Sequence, residues 1–397
     1  MKKYALLTAA LCALPLAGCS ASRFPELEMS EPEQTSSAAE TRSAEEIDSI
    51  VDGLLGDMQN RRDSGRNDIA VQTPELLPES HADETADASA DSSEYLWMWS
   101  VGVREEYSIG ECQHRFTAEP PDPDSDAPIY MPSYTRDLRK VTELYPELAD
   151  QPVREIARYG FCGADYAHRI VLPETITFFG SEAFSQSSVR EFAHHAEEIT
   201  MEENCYSDCE QLKTVTFFDN PVRLGQSCFD NSAITEVTGE NCNLITNNLC
   251  FMSLPDLERV SLSGDIQLGD YNFLHCGHAC SVELSGGGIT LGTYAFSDSG
   301  IETLEIGECQ RCAIGENGFS NCGNLKSVTL GEGVAELGNY TFFSCPALTK
   351  VSLPESLTAI GADAFGDCSA DLVIEVPKGS FSEAYCKEHD LNYQTVQ

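Results

Sequence analysis

Two short clusters hold the side chains best suited to chemistry. His275-Cys276-Gly277-His278-Ala279-Cys280 packs four potential metal ligands into six residues, and Cys309-Gln310-Arg311-Cys312 is a Cys-x-x-Cys. Zinc prefers four nitrogen or sulfur ligands in a tetrahedron, and a second matched pair normally completes a structural site. No such pair accompanies either cluster, so the expectation is no metal. A redox role for Cys309 and Cys312 calls for a thioredoxin-like context that the surrounding sequence lacks. His194-His195 with Glu197 and Glu198 offers acid–base types. Adjacent residues on a strand face opposite sides, however, and solvated side chains are the simpler expectation. The chain contains no nucleophile elbow, phosphate loop or zinc-protease helix pattern. No catalytic residue, metal ligand or cofactor is assigned from these motifs, and no small-molecule substrate is implied.

The chemistry best supported by spacing is at the start. Lys2 and Lys3 are followed by an apolar run from Ala5 to Leu16 and then by Leu16-Ala17-Gly18-Cys19. The run is too short to span a bilayer and fits an export signal. The tetrapeptide resembles a bacterial lipobox, which implies a signal peptide over 1–18, cleavage before Cys19 and a diacylglycerol on its thiol. Residues 19–95 form the next segment. Residues 20–95 carry 19 acidic and 5 basic residues, with no aromatic between Phe24 and Tyr95. Such a composition buries too little apolar surface to offset chain entropy and reads as a disordered acidic tether. Ile47, Ile50, Val51, Leu54, Leu55 and Met58 fall at helical spacing and suggest a short helix over 43–60.

The whole chain carries a formal charge of −41, from 65 acidic and 24 basic residues. That balance argues against nucleic acid and against charge-driven adhesion to anionic membranes. Membrane contact would come through the lipid.

The elements that position everything else come from a repeat. Phe161, Phe184, Tyr206, Phe229, Phe251, Phe273, Phe296, Phe319, Phe342 and Phe365 follow one another at 22 or 23 residues. Glycine stands four residues before the aromatic at Gly180, Gly225, Gly269, Gly292, Gly315, Gly338 and Gly361. Apolar residues follow in the pattern Leu348-x-x-Val351-x-Leu353, with proline after the last at Pro173, Pro354 and Pro377. The alternation is strand periodicity, and the glycine marks positive φ or close backbone approach. Each repeat is expected to hold a short strand, a turn, a second extended piece and a helical turn carrying Ala-Phe. One unit cannot bury its own apolar edge, whereas stacked units bury a continuous core.

Val351 to Cys368 resembles the BspA-like branch of the leucine-rich-repeat family, with its pattern Leu-x-x-Val-x-Leu-Pro-x-x-Leu-x-x-Ile-Gly-x-x-Ala-Phe-x-x-Cys. The resemblance covers about residues 153–377. It implies an α/β, strand-dominated fold: a right-handed leucine-rich-repeat solenoid of about ten coils with a parallel sheet on one face. Residues 96–152 would form an N-terminal cap region, with an amphipathic helix on Leu138, Val141, Leu144, Tyr145 and Leu148. Residues 378–397 would form the C-terminal cap, with a helical pattern over 379–389.

The repeat also places most of the cysteines. Cys209, Cys276, Cys322, Cys345 and Cys368 lie three residues after the aromatic, and Cys205, Cys228 and Cys250 immediately before it. They read as two columns of small packed side chains, with disulfides between column neighbours left open.

Strand alternation then predicts an outward face containing Arg169, Thr214, Thr216, Glu236, Thr238, Arg259, Ser261, Glu283, Thr303, Glu305, Thr329 and Lys350. This face is polar, rich in hydroxyls and without aromatics. Together the lipobox, the tether and the solenoid point to a non-catalytic, lipid-anchored protein at the bacterial cell surface, using its scaffold for protein recognition or adhesion. Its partner would be a host or bacterial surface protein. The alternative is a structural envelope component that organises a surface complex through the tether helix.

Overall fold

The computed structural model describes residues 128–130, 154–156, 158–277 and 280–396. The lipobox, the tether, the 43–60 helix and the Leu138–Leu148 helix lie outside these residues, as does His278. The repeat folds as two parallel ladders of strands joined by turns, within one 16-stranded sheet.

The first ladder runs through Glu191–Ala193 and Thr214–Phe217, then through the leading halves of four long strands, Glu236–Thr246, Arg259–Leu268, Cys280–Leu291 and Ile301–Ile314. It continues through Ser327–Leu330, Lys350–Ser352, Val373–Pro377 and Tyr393–Val396. The second ladder contains Glu155–Ile156, Phe178–Phe179, Ile199–Met201 and Pro221–Leu224. It then takes the trailing halves of the long strands, Val334–Leu337 and Ala359–Ile360.

The expected strand and second extended piece are therefore both laddered, and over four coils they fuse into one bent strand. Gly264 and Gly286, at φ +120° and +109°, sit within these fused strands in a region of φ that other residues rarely reach. Separately, Ile129–Tyr130 pairs in parallel with Ile170–Val171, adding a strand on the N-terminal side of the first coil.

The interior is built by columns. Val215, Val237, Val260, Val282, Leu304, Val328, Val351 and Ile374 pair in register along the first ladder, and all are at most 2% exposed. Beside them the ten aromatics stack ring on ring. Successive centroid distances run from 4.7 Å for Phe273–Phe296 to 5.7 Å for Phe342–Phe365. Such spacing lies within the range favoured for aromatic pairs. The single register of aromatics thus becomes one continuous spine.

The segment carrying Ala-Phe is not the expected helical turn. Positions two before and two after each aromatic all have positive φ, from +47° to +68°, and of these twenty only Gly163 is glycine. Left-handed residues so closely spaced prevent an α-helix from propagating. Alternate amides bond locally, as Ala183 to the Gly180 carbonyl (3.1 Å) and Ser185 to that of Glu182 (3.2 Å). The others reach the next coil: Phe184 N–H donates to the Cys205 carbonyl (2.7 Å) and Gln186 N–H to that of Ser207 (2.9 Å). The bonds between coils offset the left-handed strain by satisfying backbone that a tight turn would otherwise leave unpaired.

The glycine column resolves to close approach rather than positive φ. A Cβ on Gly315 or Gly338 would lie 2.7 Å from the carbonyl carbon of the glycine one coil earlier. At the C-terminal end, the helix Phe381–Glu388 forms where the pattern placed it. Ser380 accepts from Glu383 N–H (3.2 Å) as its N-cap. The strand Tyr393–Val396 behind it extends the first ladder by one parallel rung.

Candidate recognition face

Eleven of the twelve residues expected on the outward face lie on the first ladder, in two registered rows. One row reads Thr214, Glu236, Arg259, Ser281, Thr303, Ser327, Lys350 and Val373. The other reads Thr216, Thr238, Ser261, Glu283, Glu305, Thr329, Ser352, Glu375 and Gln394. They point outward because the alternate positions fill the valine column, and a strand's period is two. Arg169 is the exception in placement. It ends the 3-10 turn Ala167–Arg169, just before the strand Ile170–Val171.

The rows bond along and between themselves. Thr216 and Thr238 hydroxyls are 3.3 Å apart. Arg259 pairs with Glu283 at 3.1 Å, and Ser261 donates to the same carboxylate at 3.2 Å. Lys350 pairs with Glu375 at 3.1 Å, and Gln394 donates to Glu375 at 2.8 Å. Exposed pairs of this kind are worth at most about 1 kcal/mol, so they order the surface more than they hold the fold. Both strand-borne cations of these rows are thus neutralised within the face, and the remaining carboxylates, Glu236 and Glu305, are exposed.

The rows themselves hold no aromatic, but an aromatic pair borders them. His195 stacks on Phe218 with centroids 3.6 Å apart, just beyond the ends of Glu191–Ala193 and Thr214–Phe217. Each directly follows an inward-facing residue, His194 or Phe217, and alternation across the strand end turns it outward. Val171, 41% exposed, lies on a neighbouring coil.

The histidine pair divides rather than being solvated as a unit. His194 is 6% exposed, occupies a column that holds Phe217, Leu262, Leu284 and Leu330 in other coils, and donates Nε2–H to the Ile176 carbonyl at 2.8 Å. Burial holds its pKa below the ordinary histidine value. An imidazole fixed inside the coil in this way packs the interior and does not serve as a surface base.

The cysteine columns pack as expected but also bond. Cys209, Cys276, Cys322, Cys345 and Cys368 each donate Sγ–H to the carbonyl of the aromatic one coil earlier, at 3.0–3.3 Å. Ser232 takes the same position and donates to the Tyr206 carbonyl at 2.8 Å. In the other column, Cys250 donates to the Gly225 carbonyl (2.9 Å) and Cys228 to that of Glu202 (3.0 Å). The second of these columns also accepts alanine, at Ala183, Ala295 and Ala364, whereas the first favours a small donor. Serine at Ser187, Ser232 and Ser299, three residues after the aromatic, is the sequence signal that could have shown it.

Burial pushes the Cys209 thiol up to about 12, so it stays protonated and unreactive near neutral pH. All described cysteines are free thiols. Cys276 belongs to the buried column and Cys280 is buried in its strand. Among the described residues no group of three or more His, Cys, Asp or Glu side chains could hold a metal ion. The face therefore offers hydroxyls, carboxylates and two paired cations on a stiff scaffold, which suits recognition by many weak polar contacts.

Residues 147–257 and 245–371 match the BspA type leucine rich repeat region in 6 copies. No curated protein matches the chain. A leucine-rich repeat protein of Bacteroides ovatus is similar at 20% identity, covering 68% of this chain and 84% of that one, with a TM-score of 0.37. A leucine rich cell surface protein of Faecalibacterium prausnitzii is similar at 18% identity, covering 62% and 84%, with a TM-score of 0.27. The pneumococcal vaccine antigen PcpA is similar at 14% identity, covering 62% and 77%, with a TM-score of 0.26. The two matched stretches span more than half of the sequence, and the aromatic spine and laddered strands are the three-dimensional form of those repeats. The chain belongs to the BspA-type leucine-rich-repeat family.

Proposed function

We propose that this protein is a non-catalytic, lipid-anchored cell-surface scaffold that recognises another surface protein, host or bacterial, through the outward face of its first ladder. The observation carrying this reading is the pair of registered polar rows, held on a backbone that hydrogen bonds and stacked rings fix at every coil. Preorganised polar groups lose little freedom on binding, which favours recognition by a surface without large apolar anchors. The His195–Phe218 pair supplies the aromatic contact such interfaces commonly concentrate energy on. Cys19 would carry the lipid, and residues 19–95 would hold the solenoid away from the bilayer. No helix among the described residues is long and apolar enough to cross a membrane, so attachment in this reading rests on the lipid.

Two measurements test it. Fractionation of cells making the full chain or Cys19→Ala should show the variant released from membranes, and equal retention would remove the anchor. Affinity capture of surface proteins by the full chain should yield a partner that a Thr238→Arg, Glu305→Arg, Thr329→Arg variant loses. Equal capture by that variant would move recognition elsewhere on the molecule.

A further inference from the structure

Cys309 and Cys312 stand apart from both cysteine columns. They lie on one strand, Ile301–Ile314, where three extended steps would carry their backbones about 10 Å apart. The chain does not stay extended there. Cys309 N–H donates to the Glu332 carbonyl at 2.9 Å, and Cys312 N–H donates to the Gly333 carbonyl at 2.8 Å. Consecutive carbonyls of a regular strand point in opposite directions. Here both are aimed at the same neighbouring segment, with Gly333 at φ +99°. Three steps of one strand are thereby matched to a single step of the next. Gln310 and Arg311 are exposed between the two cysteines.

The two thiols are near enough for each to alter the other's proton affinity. Cys309 is half-buried, and its Sγ lies 3.5 Å from the Glu332 carbonyl oxygen. Cys312 is 1% exposed. Gly333 leaves the room this requires, since a Cβ there would stand 2.8 Å from the Cys309 sulfur. One reachable thiol thus neighbours one sheltered thiol across a bulge whose two ends bond to adjacent carbonyls of the next coil.

We propose that Cys309 and Cys312 are a thiol–disulfide exchange site that closes reversibly into an intrastrand disulfide on meeting a small-molecule disulfide such as oxidised glutathione. In the first step the Cys309 thiolate attacks one sulfur of the reagent. A Cys309–glutathione bond forms, the reagent's S–S bond breaks and one glutathione thiolate leaves. In the second step Cys312 loses its proton to water and attacks the Cys309 sulfur. The Cys309–Cys312 bond forms and a second glutathione leaves. Two protein thiols are oxidised and one external disulfide is reduced to two thiols. The order follows from access, and from burial pushing the Cys312 thiol up to about 12.

The test uses the full chain, incubated with oxidised glutathione from pH 7 to 9, alkylated with iodoacetamide and digested with trypsin. Arg311 lies between the cysteines, so cleavage there leaves two peptides that only the disulfide joins and that dithiothreitol separates. The expected result is that linked pair, forming about tenfold faster per pH unit while Cys309 remains mostly protonated. Cys312→Ser should stop at a glutathione adduct on Cys309, and Cys309→Ser should leave Cys312 unmodified. Circular dichroism confirms that each variant is folded. Wild-type protein that halts at the mixed disulfide, or whose Cys309 stays fully alkylatable throughout, would overturn the proposal.

Discussion

Phe296 is the sharpest place to test the aromatic spine. Its ring is 1% exposed and stacked between Phe273 at 4.7 Å and Phe319 at 5.1 Å. Phe296→Ala removes the buried ring and both stacking contacts, and leaves a cavity that rigid coils on either side cannot collapse. Large-to-small aromatic substitutions of this type cost about 3–5 kcal/mol. Phe365 ends the stack, with one ring neighbour at 5.7 Å and 6% exposure. Phe365→Ala should therefore cost less, about 2–3 kcal/mol, since stacking contributes about 0.5–1.5 kcal/mol per pair.

Solenoid stability is a sum of coil and interface contributions, so one global unfolding curve shows the size of a loss but not where it falls. Native-state hydrogen exchange by mass spectrometry measures each coil separately. Phe296→Ala should lower protection most in the coils of Phe273, Phe296 and Phe319, with smaller losses towards both ends. Phe365→Ala should affect only the last coil and the C-terminal helix. Equal costs at the two positions, or less than about 1 kcal/mol at Phe296, would refute the claim that a continuous spine holds the coils together.

Four further outcomes follow from the same geometry. His194 is held neutral by burial, with His195 and Glu174 as its charged neighbours. Its folded pKa lies below the unfolded value, so its contribution is fully present above pH 6.5 and is lost as pH falls from there towards the folded pKa, by up to about 1.4 kcal/mol per unit. His194→Leu should flatten that part of a stability–pH curve measured by urea unfolding. Cys345→Ser keeps a donor to the Phe319 carbonyl (3.3 Å) and should cost under about 1 kcal/mol, whereas Cys345→Ala should cost about 1–2 kcal/mol in the same assay. Gly315→Ala should destabilise by about 1–3 kcal/mol because its Cβ meets the Gly292 backbone. Gln186→Gly, at φ +58° on an exposed side chain, should instead be neutral or slightly stabilising, read as thermal midpoint.

The features legible in the sequence were those imposed by burial at constant spacing. Ten aromatics, a valine column and a glycine column each answer to one position in a repeating coil, so their residue types could hardly vary. The outward rows followed from strand alternation alone, and eleven of their twelve expected members lie on the laddered strands. The turns were opaque for a physical reason. Their left-handed positions are filled by residues as different as Tyr271, Leu249, Asn204 and Glu182, because hydrogen bonds to the next coil impose that conformation whatever the side chain. Ala-Phe beside a small residue then looks helical when it is not.

Contacts that depend on neighbouring coils were equally hidden. The His195–Phe218 stack joins residues from successive coils at one repeat position, which other repeats fill with Glu240, Ser263, Gly307 or Pro354. The bulge that brings Cys309 to Cys312 depends on the conformation of Gly333, one coil later. A Cys-x-x-Cys on a regular strand would have held its thiols apart.

The recognition face is tested most directly by site-specific photo-cross-linking on intact cells. A photoreactive residue in place of Thr238, on the first ladder, should trap a defined surface protein. The same residue in place of Asn321, in the turn on the other side of the coil, should not. Adducts from Asn321 equal to or exceeding those from Thr238 would contradict the account.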